Sequence, residues 1–317
     1  MRASLRRSKR PAAVVCLLLA LADGLCNPRV PIAQSQQMVD AIGDALLARL
    51  SPLELRSHPG FAMSLGCDEW RGAGYGGEVT GWSAEGRGVR WIASSRMRQL
   101  NSRDDEGGLA SSRDATSRPL ALFDLLAFAS EDVDVPHLRV SLEQQPNGGS
   151  AFRVQLDYTP RSDLIASFAH FDKYFKGIDA EVQALVGPLA QRGACRAPRP
   201  AFFEYSLLPR MTASPFALEL DVDDAAAAQS LCAAHVDRWL CWVTRPTAAV
   251  TAAAPPPASA SVASDADQPQ VQVARRERDT NAARLLYEEY KLRYAAVMGA
   301  SFAPFAEPIA LACLGPG

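Results

Sequence analysis

Arg139, Ser141 and Glu143 stand at every second residue of the stretch "LRVSLE", and Arg153, Gln155 and Asp157 do the same in "FRVQLD". Side chains two apart in a strand leave it on the same side, so each stretch would carry a polar row that ends in a carboxylic acid. The residues between, Leu138, Val140 and Leu142 in one and Phe152, Val154 and Leu156 in the other, are apolar and would face a core. Asn147-Gly148-Gly149 supplies residues that tolerate positive φ in a hairpin loop joining the two. Acids beside arginines and a hydroxyl can hold a polar ligand and move protons to or from it. A solvated sheet face shows the same alternation, so what decides between the two is whether something covers the rows.

Other chemistries lack their motifs. There is no GxxxxGK[ST], no GxGxxG opening a helix after a strand and no HExxH. "GAGYGG" at 72–77 is glycine-rich but no helical pattern follows it. The histidines, at 58, 137, 170 and 235, have no ligand spacing, and the seven cysteines (16, 26, 67, 195, 232, 241 and 313) form no CxxC pair. Most cysteines read as small buried apolar side chains in a reducing compartment, with one disulfide left open. An enzyme built on this chain would therefore use carboxylic acids, with a substrate or partner that brings its own redox power.

The elements that must position the rows follow from periodicity. "SQQMVDAIGDALLARL" (35–50) has apolar residues at helical spacing, with Ser35 as its cap and Pro52 as its stop. "GGEVTGW" and "RGVRWIASSRM" read as strands, "PLALFDLLAF" leads into the hairpin, and together they imply an antiparallel meander. "NSRDDEGGLASSRDATSR" reads as a loop. "SDLIASFAHFDKYFKG" predicts a helix with Leu164, Phe168, Phe171 and Phe175 on one face, followed by "DAEVQAL". "PAFFEYSLLPRMTASPFALELDV" reads as two more strands, "DDAAAAQSLCAAHVDRWLCWV" as a helix with an acidic first turn, and "ARRERDTNAARLLYEEYKLRYAAVMG" as a last helix breaking near Gly299. Residues 244–272 are rich in alanine, proline and serine and read as a disordered insert. Strands flanked by helices in this order predict an α+β fold with a central sheet covered on both faces, and so no solvated side for the polar rows. A buried polar group without a partner costs on the order of 1 to 3 kcal/mol. A polar ligand or ordered water is therefore expected among Arg139, Ser141, Glu143, Arg153, Gln155 and Asp157.

The totals set bounds on this reading. A chain of 317 residues with 48% hydrophobic content can bury a substantial core. A formal charge of -2 and a pI near 6.1 give no general attraction to nucleic acid. The start is different in kind: basic "MRASLRRSKR", apolar "PAAVVCLLLALA" and small residues at Ala20-Leu21-Ala22 look like a secretory-type leader, too short to span a membrane comfortably. Residues 1–33 are set aside as a targeting leader, suited to a plastid reached through a signal-peptide-type route or to the secretory pathway. Residues 34–317 form one domain, with no integral membrane span in the mature protein.

Several of these stretches, in this order, resemble a known family. "VPHLRVSLE", then "FRVQLDYTPRSDL", then "FDKYF" are similar to the core of the red chlorophyll catabolite reductases, a divergent branch of the ferredoxin-dependent bilin reductases. "MVDAIGDALLARL" resembles that family's first helix, "FFEYSLLPRMTAS" its later strand pair and "RDTNAARLLYEEYKLRYAAVMG" its final helix. The resemblance implies a three-layer α/β/α sandwich with a central antiparallel β-sheet and a linear tetrapyrrole held between sheet and last helices. It implies no bound cofactor, reduced ferredoxin as external electron donor, and protons from carboxyl groups, with red chlorophyll catabolite as the substrate. Glu143 falls at the family's strand-end acid and is the candidate proton donor, since a carboxyl pressed against an apolar pigment loses the hydration that favours its charged form. Glu289 falls where relatives carry an aspartate in the last helix, with Glu288 and Asp279 as alternatives. Ser141 shares the face of Glu143, and Arg139 and Arg153 are candidate partners for substrate carboxylates. Phe202 and Phe203 are candidates to stack on the pigment. Tyr205 stands where relatives often have an arginine, which Arg210 would replace. A phycobilin reductase, or a binder that sequesters a tetrapyrrole without turnover, are the alternatives, and a homodimer stays open as the assembly.

Overall fold

Helix α1 (Ile32–Arg49) buries Val39, Ile42 and Leu46, three residues at helical spacing, against the sheet. It already runs at Ile32, so Ser35 lies inside it and is not its cap. At Gly43 the helix comes so close to strand Ala121–Ala129 that an added Cβ would stand 2.8 Å from the Phe123 ring. The structure, a computed structural model, describes residues 32–57, 69–72, 75–84, 88–100, 121–144, 152–164, 168–195, 216–244 and 269–298.

Among the described residues eight antiparallel strands follow: β1 (Arg56–Ser57), β2 (Glu69–Gly72), β3 (Tyr75–Ala84), β4 (Val89–Gln99), β5 (Ala121–Ala129), β6 (His137–Gln144), β7 (Phe152–Thr159) and β8 (Ala217–Val222). The sheet order is β1-β3-β4-β5-β6-β7-β8, with β2 also on β3, so from β3 onward each strand pairs with the next in sequence, as a meander does. Strand β5 is buried along its whole length, which is why its sequence is a near-continuous apolar run and does not alternate. The helices are α2 (Phe168–Tyr174), α3 (Ile178–Gln191), α4 (Ala225–Thr244) and α5 (Pro269–Met298). Asp224 caps α4, its carboxylate accepting the backbone N–H groups of Ala226 and Ala227, each at 3.2 Å.

Two cores lie on opposite faces of the sheet. On one, Phe123, Val140, Leu142, Val154 and Leu220 of the strands meet α1, α3 and α4 through Leu46, Val186, Leu231 and Trp239. On the other, Trp91, Met97, Leu122, Leu126 and Phe128 meet Ala282, Leu286 and Tyr290 of α5. The result is the α+β, three-layer α/β/α sandwich with a central antiparallel sheet that the sequence predicts.

Some boundaries and faces differ from expectation. Phe168 begins α2 and is 72% exposed, while Phe175 is buried, because the helix is too short to carry all four expected residues on one packed face. Helix α5 starts at Pro269, inside the stretch 244–272 predicted as an insert, and Thr244 ends α4; residues 245–268 lie outside the described residues. Ile32 and Ala33, assigned to the leader, are helical, and residues 1–31 lie outside the described residues, as do the predicted loop 101–118 and the first of the two later strands. Cys195 and Cys232 are buried and Cys241 is exposed, all as free thiols. Among the described residues no helix is long and apolar enough to cross a membrane.

Candidate functional site

The register of the β6–β7 hairpin sets Arg139 opposite Asp157, Ser141 opposite Gln155 and Glu143 opposite Arg153. The two polar rows therefore merge into one surface. Strand β5 adds Asp124, opposite Ser141, and β8 adds Glu219 and Asp221, opposite Gln155 and Arg153. This surface faces α5, whose Arg275, Asp279, Ala282, Leu286, Glu289, Tyr290 and Arg293 are buried and recur at three- and four-residue spacing.

The charged members of that helical stripe meet the polar surface. Arg293 donates to Asp124 Oδ1 at 2.9 Å, to Ser141 Oγ at 2.7 Å and to the Glu143 carboxylate. Arg139 donates to the Glu289 carboxylate and lies 5.9 Å from the centre of the Tyr290 ring. Arg161, just after β7, is fully buried; its Nε donates to Asp279 Oδ1 at 2.9 Å, its second terminal nitrogen to Oδ2, and its first to the Ser130 carbonyl at 2.6 Å. His137 Nδ1 accepts the Ala129 N–H at 3.2 Å, which assigns the ring proton to Nε2, 3.0 Å from Asp279 Oδ1. Burial would raise the Asp279 pKa, but donors from His137 and Arg161 reverse this and hold it at about 2. Burial depresses Arg293, yet Asp124 and Glu143 outweigh it and the guanidinium ends well above its ordinary value. For His137 burial wins over the pull of Asp279, and its pKa is lowered.

The structure brings Arg139, Ser141, Glu143 and Glu289 together on one buried interface. Glu143 keeps 13% of its side chain exposed and bonds Arg293, so it is part of an ion pair where a lone desolvated acid was expected. Of the three acids proposed for the last helix, Glu289 points inward, Glu288 is on the outer face 3.1 Å from Lys291, and Asp279 is clasped by Arg161 and His137. Arg139 faces Glu289, and Arg153 faces Glu219 at 3.0 Å and Asp221 at 3.4 Å, so both guanidiniums already meet carboxylates of the chain. Phe202, Phe203, Tyr205 and Arg210 lie outside the described residues. Charges of α5 meet Arg139, Ser141 and Glu143, and those of β8 meet Arg153. Buried atoms on this interface without a hydrogen-bond partner among the described residues include Asp124 Oδ2, Arg139 Nε, Gln155 Oε1 and Arg275 Nε.

Sequence reasoning missed Arg293, Asp124 and Arg161. A signal for Arg293 existed: it continues, at helical spacing, the line of Ala282, Leu286 and Tyr290, so an apolar stripe and a set of charges share one face. Asp124 is likewise an acid in the middle of an otherwise apolar strand.

A cavity of about 350 Å³ lies on the opposite face of the sheet, between α3 and α4, lined by Leu156, Tyr158, Val182, Phe216, Leu218 and Leu231. Its surface is mainly apolar, with Glu181, His235 and Arg238 also at its border, and among the described residues none of the predicted site residues lines it. Among the described residues no group of His, Cys, Asp and Glu is placed to hold a metal ion.

No protein-family model matches the sequence. No curated protein matches it either. Among solved structures, the fold is similar to that of phytochromobilin synthase from tomato, determined in complex with biliverdin, with a TM-score of 0.54 over 88% of this chain and 85% of that one. Identity between the two is 13%, so the likeness is one of fold.

Proposed function

We propose that the protein reduces a linear tetrapyrrole, with electrons from reduced ferredoxin and protons that pass through its own carboxyl groups. The observation that carries this reading is a buried polar surface, holding Asp124, Glu143 and Glu289, between the sheet and the last helix of a fold like that of an enzyme solved with biliverdin. Reducing one double bond takes two electrons, from two ferredoxins that leave oxidised, and two protons, which form two new C–H bonds. The conjugated pigment can hold the first electron itself, so the protein's part is to orient it, exclude water and deliver protons. Glu143 is the first donor in this scheme and Glu289 the second; Ser141 and the arginines orient the pigment. Within the same reading, the stretches "VPHLRVSLE" and "FRVQLDYTPRSDL" favour red chlorophyll catabolite over a bilin, and a plastid as the compartment.

One observation favours a second reading. Arg293 on Glu143 and Arg139 on Glu289 leave both acids ion-paired, as suits a protein that sequesters a pigment without turnover. An anaerobic assay with reduced ferredoxin, offering biliverdin and red chlorophyll catabolite, separates the two. Loss of the conjugated absorption is expected; tight binding with the spectrum unchanged would favour the sequestering protein, and no binding of either pigment would remove both readings. Glu143→Gln is expected to lower turnover about a hundredfold while binding persists. Unchanged turnover in that variant would reject Glu143 as the donor.

A further inference from the structure

Arg293 reaches from α5 to three groups of the sheet at once: Asp124, Ser141 and Glu143. It is buried, and so is Arg139 beside it on the same face. An acid held by a guanidinium is not free to give a proton away, so a Glu143 that acts as donor must first part from Arg293. Parting from Glu143 takes one of two carboxylates from the buried guanidinium, which keeps Asp124, and a replacement carboxylate restores the lost charge-assisted bond. Bilins carry carboxylate side chains of their own. The structure also keeps a donor ready for one, because Arg139 Nε has no hydrogen-bond partner among the described residues.

We infer that Arg293 exchanges carboxylates when substrate binds: a propionate of the tetrapyrrole takes its guanidinium in a two-pronged pair, and Glu143, released, takes up a proton from solvent and becomes the acid that protonates the pigment. Arg293 is thus a positioning residue that couples recognition of the substrate's carboxylate to readiness of the donor. A pigment lacking that carboxylate would leave Glu143 paired. This rests on the tetrapyrrole reading above and adds to it the feature of the substrate that the site reads. Asp124 keeps Arg293 in place during the exchange, since its Oδ1 bond does not involve Glu143.

The test is an absorption titration of the full chain with biliverdin and with biliverdin dimethyl ester. The free acid is expected to bind on the order of tenfold more tightly than the ester. Arg293→Met should erase that preference and Arg293→Lys, which keeps the charge without the fork, should reduce it. Equal affinity of acid and ester for the unaltered protein would overturn the inference and leave the tetrapyrrole reading standing; failure of both to bind would also overturn it, and failure of red chlorophyll catabolite as well would remove the tetrapyrrole reading. A preference undiminished in both variants would also overturn it. An infrared difference spectrum gives a readout that does not depend on the Arg293 variants folding. Biliverdin should produce the carbonyl band of a protonated carboxyl that is missing in Glu143→Gln, and its absence from the unaltered protein would contradict the exchange.

Discussion

His170 is a buried histidine whose two ring nitrogens both lack a hydrogen-bond partner among the described residues. Its ring packs among Tyr174 at 4.9 Å and Phe175 at 6.0 Å, and burial pushes its pKa down to about 4. Such a side chain carries the cost of desolvating polar atoms with nothing in return, so an apolar ring of similar shape should be better tolerated than histidine. His170→Phe is expected to raise stability by about 1 kcal/mol in urea denaturation at neutral pH. A clear loss of stability would mean that the ring nitrogens have partners. At the same scale, Glu288, Glu289 and Asp279 are alike as letters in one helix, and only their direction tells them apart. The helical period places 279 and 289 near one face and 288 off it, which was readable in advance; that Asp279 meets Arg161 rather than open space was not.

Helix α5 is held to the sheet by two groups of charge. Near its start, Asp279 is gripped by Arg161 and His137; near its end, Glu289 and Arg293 grip β5 and β6. Asp279→Asn would leave the fully buried Arg161 without its counter-charge, and a broken buried pair costs about 3 to 5 kcal/mol. We expect a loss of about 3 kcal/mol in chemical denaturation, together with faster amide exchange in the first turns of α5. Protection in α5 equal to that of the unaltered chain would show that the clasp is not what holds its start. Elements were legible where the local pattern is strong: β6 and β7 alternate and α1 has a clear apolar stripe, whereas the acids expected in the first turn of α4, Asp223 and Asp224, precede the helix, with Asp224 as its cap. The start of α5 was missed because Pro269, Gln270, Val271 and Gln272 resemble the proline-containing stretch before them, while proline is well suited to a first helical turn.

Acid sensitivity belongs to the molecule as a whole. His137, His170 and His235 are all buried with lowered pKa values, His170 at about 4 and His235 at about 3, and in each the leading cause is burial. Unfolded, these rings titrate near 6.5, so below that pH the unfolded chain binds protons that the folded one refuses. Their contribution to stability is complete above about pH 6.5 and is lost as the pH falls toward the folded values. Asp279 adds a second, lower window: its stabilisation is present above about pH 4 and disappears as the pH falls through about 2. Urea denaturation at a series of pH values should show stability falling below pH 6.5, with a slope that approaches about 4 kcal/mol per pH unit when all three rings take part. A flat profile from about pH 6.5 to 5 would show that the rings are not buried as neutral groups.

What the sequence by itself determined is everything set by short-range period: the polar and apolar sides of the hairpin, the run of neighbouring strands, the helices that flank them, and hence a sheet with no solvated face. What only the tertiary structure decided is the identity of the partners across that face. Glu143 and Arg293 are 150 residues apart, as are Arg139 and Glu289. Where a helix lands on a sheet depends on the packing of both cores at once, and a difference of one turn would give every inward charge another partner. Local sequence records which side of an element is polar; it does not record what that side will meet.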